Sequence, residues 1–210
     1  MQPSIKPFSQ SCENNKQFIL ERIKEQFLPG NLVLEIGSRT AQHVTFFATM
    51  MPTVHWLPSD IAENMATLFE CLKGDAHQNI APPVTLDVTQ HPWPVSAADV
   101  SIPGTGVDGV FTANTLHIMP WSAVECFFAG VGRVLRPGGK LCAYGPFKYN
   151  GKFTTLSNEA FDASLKLQNS GSGVRDFEKI DELATAQNLQ LIDDHNMPAN
   201  NQMLVWQLRE

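Results

Sequence analysis

The chain has 210 residues, enough for one ordinary domain with a full apolar core, and nothing in it argues for two. Its 43% hydrophobic and 17% charged content is that of a globular protein, and a formal net charge of −6 disfavours a general nucleic-acid binder, which normally carries a basic face. Four scattered cysteines (Cys12, Cys71, Cys126 and Cys142) include no Cys-x-x-Cys pair, so neither a disulfide framework nor a zinc site is indicated.

Met1 to Pro7 lacks the apolar core of a signal peptide and no run is long enough to span a bilayer, so a reduced cytoplasm is expected. Phe18, Ile19, Arg22, Ile23 and Phe27 mark a first helix closed by Pro29-Gly30, and residues 1–30 are expected to form an N-terminal helix and a lid. Leu32 to Ile36 reads as a buried strand, followed by a helix through Val44, Phe46 and Phe47 to Met51. Val54 to Leu57 makes strand two, Ile61 to Leu72 a helix ended by Gly74, and Val84 to Leu86 a short third strand. A proline-rich loop from His91 to Gly106 leads to strand four, Val107 to Ala113. A helix around Trp121 to Leu135 stops at the breaker Pro137-Gly138-Gly139 before strand five, Leu141 to Tyr144. After a polar stretch and a helix near Phe177 to Ala186, strand-like runs at Leu189–Ile192 and Met203–Trp206 stand too close together for a helical crossover and should pair antiparallel. The pattern predicts a single α/β domain over residues 1–210: a Rossmann-like, seven-stranded, mostly parallel sheet with helices on both faces and a C-terminal antiparallel hairpin.

The turn after strand one carries the most chemistry. Open α/β sheets bind ligands beyond the carboxyl ends of their strands, and here the strand ends in Glu35-Ile36-Gly37-Ser38. A dinucleotide site needs glycines beside its pyrophosphate, and a carboxylate there would repel that anion, which argues against an NAD(P) oxidoreductase. A ligand with a cationic amino-acid end would welcome Glu35, and S-adenosylmethionine has one.

Together these residues resemble the class I S-adenosylmethionine-dependent methyltransferase superfamily, over nearly the whole chain. The resemblance implies that Glu35, Gly37, Ser38 and Thr40 belong to the first cofactor motif, that Asp60 hydrogen-bonds the ribose, and that Asp87 and Val88 lie beside the adenine. Asp60 stands twenty-three residues after Gly37, a spacing that fits a one-helix crossover. Arg133 to Gly139 looks like the family's turn before strand five. More narrowly, Trp56–Asp60, Ala113–His117, Tyr144–Phe147, Ser157-Asn158, Gly173–Asp176 and Met197–Asn201 resemble a methyltransferase-like family of domains of unknown function. The departure lies in motif one, where Arg39 and Ala41 replace two glycines that permit unusual backbone angles. Arg39 is expected to push the loop out of its positive-φ geometry and to weaken cofactor binding.

Acceptor-side candidates follow strands four and five. Asn114 contacts the cofactor or caps a turn, and His117 accepts a proton or packs against Trp121. Tyr144 hydrogen-bonds a substrate with Phe147 as an apolar wall, or the segment is an ordinary strand exit in which Phe147 closes the core. Asp60 could equally cap the helix at Ile61, and Asp87 could be a turn residue. Asn158, Arg175, Asn200 and Asn201 form a polar substrate lid, or a local Arg175–Asp176 pair and a hairpin turn. Lys148, Lys152 and Arg175 suggest a small anionic acceptor, because a guanidinium fork suits a carboxylate. The leading reading is a methyltransferase acting on a small molecule. Its rival is a non-catalytic ligand- or partner-binding protein with a decayed site.

Overall fold

The computed structural model describes residues 6–74, 77–95 and 106–209. Strands β1 (Leu32–Ile36), β2 (His55–Asp60), β3 (Val84–Thr85), β4 (Val107–Ala113) and β5 (Leu135–Gly145) alternate with helices along the chain. The helices are α1 (Gln10–Ile23) ahead of β1, α2 (Gln42–Met50), α3 (Ala62–Leu72) and α4 (Trp121–Val134). A short insertion follows: β6 (Phe147–Tyr149), β7 (Lys152–Phe153), α5 (Leu156–Gln168) and β8 (Arg175–Asp176). The chain then finishes with α6 (Phe177–Thr185), β9 (Leu189–Met197) and β10 (Asn201–Leu208). The main sheet has the order β3-β2-β1-β4-β5-β10-β9. Its first five strands are parallel, and β10 runs antiparallel between β5 and β9. This is the mostly parallel sheet with a closing antiparallel hairpin that the alternation predicts.

The period-two alternation of strand side chains sorts the core into two layers. Val33, Phe111, Cys142, Met203 and Val205 face Ile19, Ile23 and Phe27 beside α2 and α3. Leu34, Val110, Leu141, Leu204 and Trp206 face Phe127, Phe128 and Ile180 from α4 and α6. Helix α1 and the turn that follows it cross the first layer. Asn15 lies beside Tyr144 near the carboxyl end of β5, while the Phe27 ring lies so close to Gly109, near the start of β4, that a Cβ there would meet it at 2.5 Å. The amino end of α1 therefore stands at the ligand-binding edge of the sheet.

Three local expectations need correction. The Pro137-Gly138-Gly139 cluster does not precede β5 but lies within it. Val107 pairs with Leu135, the register shifts before Gly109, and Gly138 takes φ 78°, so the cluster forms an irregularity while Arg136 bonds Asp108 at 2.7 Å. The polar stretch after β5 contains helix α5 and a three-stranded sheet, β7-β6-β8. The final hairpin is longer than its apolar centres, because pairing continues through Asn196 and Asn201, whose backbones serve as well as any. Residues 96–105 of the proline-rich loop and Met1 to Ile5 lie outside the described residues.

Candidate active site

The turn after β1 is sewn to the end of β2 by main-chain bonds. The Gly37 and Ser38 N–H groups both donate to Ser59 O at 3.0 Å, and Ser59 Oγ donates to Glu35 O at 2.7 Å. The Arg39 N–H donates to Asp60 Oδ2 at 2.8 Å, while Asp60 Oδ1 accepts from the Ile61 N–H and Asn64 Nδ2, both at 2.8 Å. Asp60 thus ties the loop after β1 to the residues where α3 begins, without being the side-chain cap of that helix.

The expectation that Arg39 displaces the loop from positive-φ geometry is overturned. Gly37, Arg39 and Ala41 adopt φ 84°, 34° and 56°, so the loop keeps the left-handed geometry normally associated with glycine. Strain of about 1–3 kcal/mol per such residue persists where surrounding bonds over-determine the backbone, as Ser59 and Asp60 do here. The Arg39 side chain is exposed, whereas the Ala41 methyl is buried in the core. Only a glycine fits at position 37, because a Cβ would sit 2.6 Å from Thr115 Cγ2 on the loop after β4.

Glu35 is 2% exposed, and its Oε2 has no hydrogen-bond partner among the described residues. Burial pushes its carboxyl up to about 7, the nearby Asp60 adds to this, and a hydrogen bond with Ser38 opposes it. Thr40 hydrogen-bonds Cys12 of α1, whose thiol also feels Glu35 and Arg39. Ser9 and Gln42 exchange two further bonds, of 2.5 and 3.2 Å, so the amino end of α1 closes over this corner. A buried carboxylate oxygen with no partner suits a cationic ligand group, so these residues fit the amino-acid end of S-adenosylmethionine. Farther along the edge, Asp87 Oδ1 accepts from the Thr89 N–H and hydroxyl at 2.9 and 2.7 Å, forming the turn that the sequence allowed. Val88 is buried in the core.

Asn114 holds φ 58° and donates its N–H to Tyr144 O at 2.8 Å, which places it between β4 and β5. Gly145 lies beside it. A Cβ at Gly145 would stand 3.6 Å from His117 Nδ1 and 3.9 Å from Asn114 Oδ1, so the missing side chain leaves a small cradle flanked by two polar atoms. His117 is buried, and its partner ring is Phe161, edge-on at 5.2 Å, rather than Trp121. Burial and the Arg175 charge hold its ring down to about 4, so it is neutral at physiological pH.

Several acceptor-side expectations are corrected. Tyr144 lies beside Asn15 of α1, which bonds His43 Nε2 at 2.7 Å, so its hydroxyl is turned toward the helix. Phe147 is buried in the α4 and α6 layer and closes the core. Arg175 donates to the carbonyls of Leu116, Met119 and Gly171, so its fork grips main chain in place of a carboxylate. Lys148 lies over the Phe153 ring at 5.4 Å. Asn158 Nδ2 donates to Thr154 Oγ1 and Asn200 O, both at 2.9 Å, and Asn200 Nδ2 to Ser157 Oγ at 3.1 Å. Asn201 Nδ2 donates to Pro198 O and Ala199 O, both at 3.1 Å. These asparagines build the β9–β10 turn and tie it to α5. Cys12, Ser59, Thr115 and Gly145 were not anticipated. Asn15 left one trace, a polar side chain in helical register with Ile19 and Ile23 on the buried face.

A profile for the family described as protein of unknown function DUF938 matches residues 6–208. The chain belongs to that family. Among solved structures, this DUF938 member is similar to human N-acetylserotonin methyltransferase in complex with SAM, at 13% identity and TM-score 0.78, over 96% of this chain and 53% of that one. An O-methyltransferase family protein from Burkholderia thailandensis matches at 10% identity and TM-score 0.77, over 96% and 57%. An O-methyltransferase family 2 protein from Planctomyces limnophilus, in complex with apigenin, matches at 14% identity and TM-score 0.74, over 94% and 59%. The DUF938 chain has the class I S-adenosylmethionine-dependent methyltransferase fold and spans little more than half the length of these proteins. Among its described residues no helix is long and apolar enough to cross a membrane.

Proposed function

We propose that this protein is an S-adenosylmethionine-dependent methyltransferase acting on a small molecule. One observation carries the reading: a fully buried carboxylate oxygen on Glu35 without a partner among the described residues, beside a loop that keeps the glycine geometry. Glu35 would hold the cationic amino-acid end, with Ser38 and Thr40 beside it, Asp60 at the ribose, Asp87 and Val88 toward the base, and Asn114 between cofactor and acceptor. When bound, S-adenosylmethionine supplies a methyl group on a sulfonium, ready for in-line displacement. The chain's own residues supply the rest by positioning, excluding water and handling one proton. His117, neutral and buried at the lip of β4, is the group placed to receive that proton. Tyr144 acts at one remove, with its hydroxyl turned toward the helix that closes the cofactor corner.

The non-catalytic reading drew its force from Arg39, and the left-handed loop with its outward side chain supports retention of the site instead. Calorimetric titration with S-adenosylmethionine and S-adenosylhomocysteine tests the proposal. Binding of both that is lost in Glu35→Ala supports it. No measurable binding of either refutes it.

A further inference from the structure

Helix α5 is built inside out. A surface helix ordinarily turns its apolar stripe toward the core and its polar side to water. Here the buried residues are Asn158, Asp162 and Leu165, and the first two fasten the helix by hydrogen bonds. Asn158 Nδ2 donates to Thr154 Oγ1 and Asn200 O, both at 2.9 Å, while Asp162 Oδ1 accepts from the Val174 N–H at 2.8 Å. The opposite face, formed by Leu156, Ala160, Ala163 and Leu167, is exposed along its whole length. Leu156 is 83% and Leu167 90% accessible, more than any other large apolar side chain among the described residues. Single exposed leucines are ordinary on a protein surface. Two of them joined through alanines in helical register make a continuous apolar stripe, because residues three and four apart are neighbours on a helix.

Two properties of the stripe identify what covers it. The first is its symmetry. Leucine, alanine, alanine and leucine follow at intervals of four, three and four, so the pattern reads the same from either end of α5. Turned end for end, it is complementary to itself: Leu156 meets the partner's Leu167, and Ala160 meets the partner's Ala163. That is the isologous contact of a two-fold dimer. The small central residues let the helix axes approach closely, and the leucines close the two ends. The second property is charge. Glu159 and Lys166 lie on one flank of the stripe, and Ser157 and Ser164 on the other. In an antiparallel pair the charged flanks face each other with ends reversed, so Glu159 meets the partner's Lys166 twice by symmetry. A parallel pair would set each charge against its own like. Lys166 is bonded to Asp162 at 2.6 Å, yet its side chain stays 55% exposed and can meet a second carboxylate.

We propose that the outer face of α5 docks a second copy of this chain, forming a two-fold dimer through an antiparallel pair of α5 helices. A helix of this length extends about 20 Å, and one stripe of it covers less than the about 800 Å² per partner of a standard interface. The dimer is therefore weak and reversible. It bears on the acceptor side of the site, because Phe161 of the same helix stands edge-on to His117 at 5.2 Å and Asp162 holds the backbone before β8. The partner's helix braces that wall from outside. Nothing in the pairing requires a bound cofactor, so it stands or falls apart from the cofactor reading.

Sedimentation-velocity ultracentrifugation of the whole chain over a hundredfold dilution series tests the proposal. The parent should convert reversibly from dimer to monomer on dilution. Leu167→Glu should weaken association at least tenfold with an unchanged melting temperature, because the side chain lies outside the core. Glu159→Lys should weaken it at least threefold at low salt, by setting a lysine against the partner's Lys166 twice, and much less at high salt, where exposed charges are screened. A parent that is monomeric throughout the series overturns the proposal. So does a dimer that Leu167→Glu leaves intact, since another surface then holds it. A monomer that instead binds phosphatidylcholine vesicles, and loses them in Leu167→Glu, assigns the stripe to a lipid surface and overturns the dimer. Association of Glu159→Lys as tight as the parent's at low salt overturns the antiparallel arrangement.

Discussion

Replacing Glu35 by glutamine should make the free protein's stability less dependent on pH while weakening its hold on the cofactor. An ordinary glutamate titrates at about 4.3, so holding this one up to about 7 disfavours its ionised form by about 4 kcal/mol. Because the folded-state value lies above the unfolded one, the stability this carboxyl contributes is fully present below about pH 4. It is lost as pH rises through about 7, with most of the loss between about pH 5 and 8. A bound ammonium reverses the balance by favouring the ionised form, so cofactor affinity should rise with pH up to about 7 and then level off. The amide of Glu35→Gln would carry no charge at any pH. Its hydrogens would be as poorly partnered as Oε2 is now, so the slope with pH, not absolute stability, is diagnostic. Losing a charge-assisted hydrogen bond costs about 1.5–3 kcal/mol, or roughly 10- to 150-fold in affinity. Urea denaturation of both proteins at pH 5.5 and 8, with calorimetric titration of S-adenosylmethionine at the same pH values, measures each quantity. Parental stability that is flat across this range, together with unchanged affinity in Glu35→Gln, would refute the argument.

Asp60→Ala should lower the urea midpoint, since three donors on the loop and α3 lose their acceptor, at a cost of about 1–3 kcal/mol, and should also weaken cofactor binding. A stability loss with unchanged affinity would confine Asp60 to the loop. Arg39→Gly should change cofactor affinity by less than about threefold and raise stability by no more than about 1 kcal/mol, because relief of left-handed strain is offset by a freer unfolded chain. A tenfold gain in calorimetry would show that the arginine obstructs the site after all. Arg175→Lys should raise the titration point of His117, because a single ammonium cannot reach both Leu116 O and Met119 O and the ring loosens into water. An NMR titration of the ring that superimposes on the parent would show that these bonds do not hold His117 in place.

The fold was legible because its signals are local and repeated. Apolar runs such as Leu32–Ile36 and Val107–Ala113, separated by helical periods, specify a parallel sheet, and the short spacing before Met203 admits only an antiparallel partner. Glu35 was legible for the same reason, as an acid on an otherwise apolar strand. The role of Arg39 was not, since its backbone angle is decided by acceptors at Ser59 and Asp60 that are distant in sequence. Arg175 illustrates the same limit. From composition it resembles an anion fork, but its hydrogen bonds run to Leu116 and Met119, more than fifty residues away. Sequence by itself determined the order of elements and the residue types at the carboxyl edge of the sheet. Which side chains remain free to meet a ligand was decided only by tertiary structure, because hydrogen-bond partners are allotted by proximity in space, and the donors that Arg175 gives to main-chain carbonyls are withdrawn from chemistry.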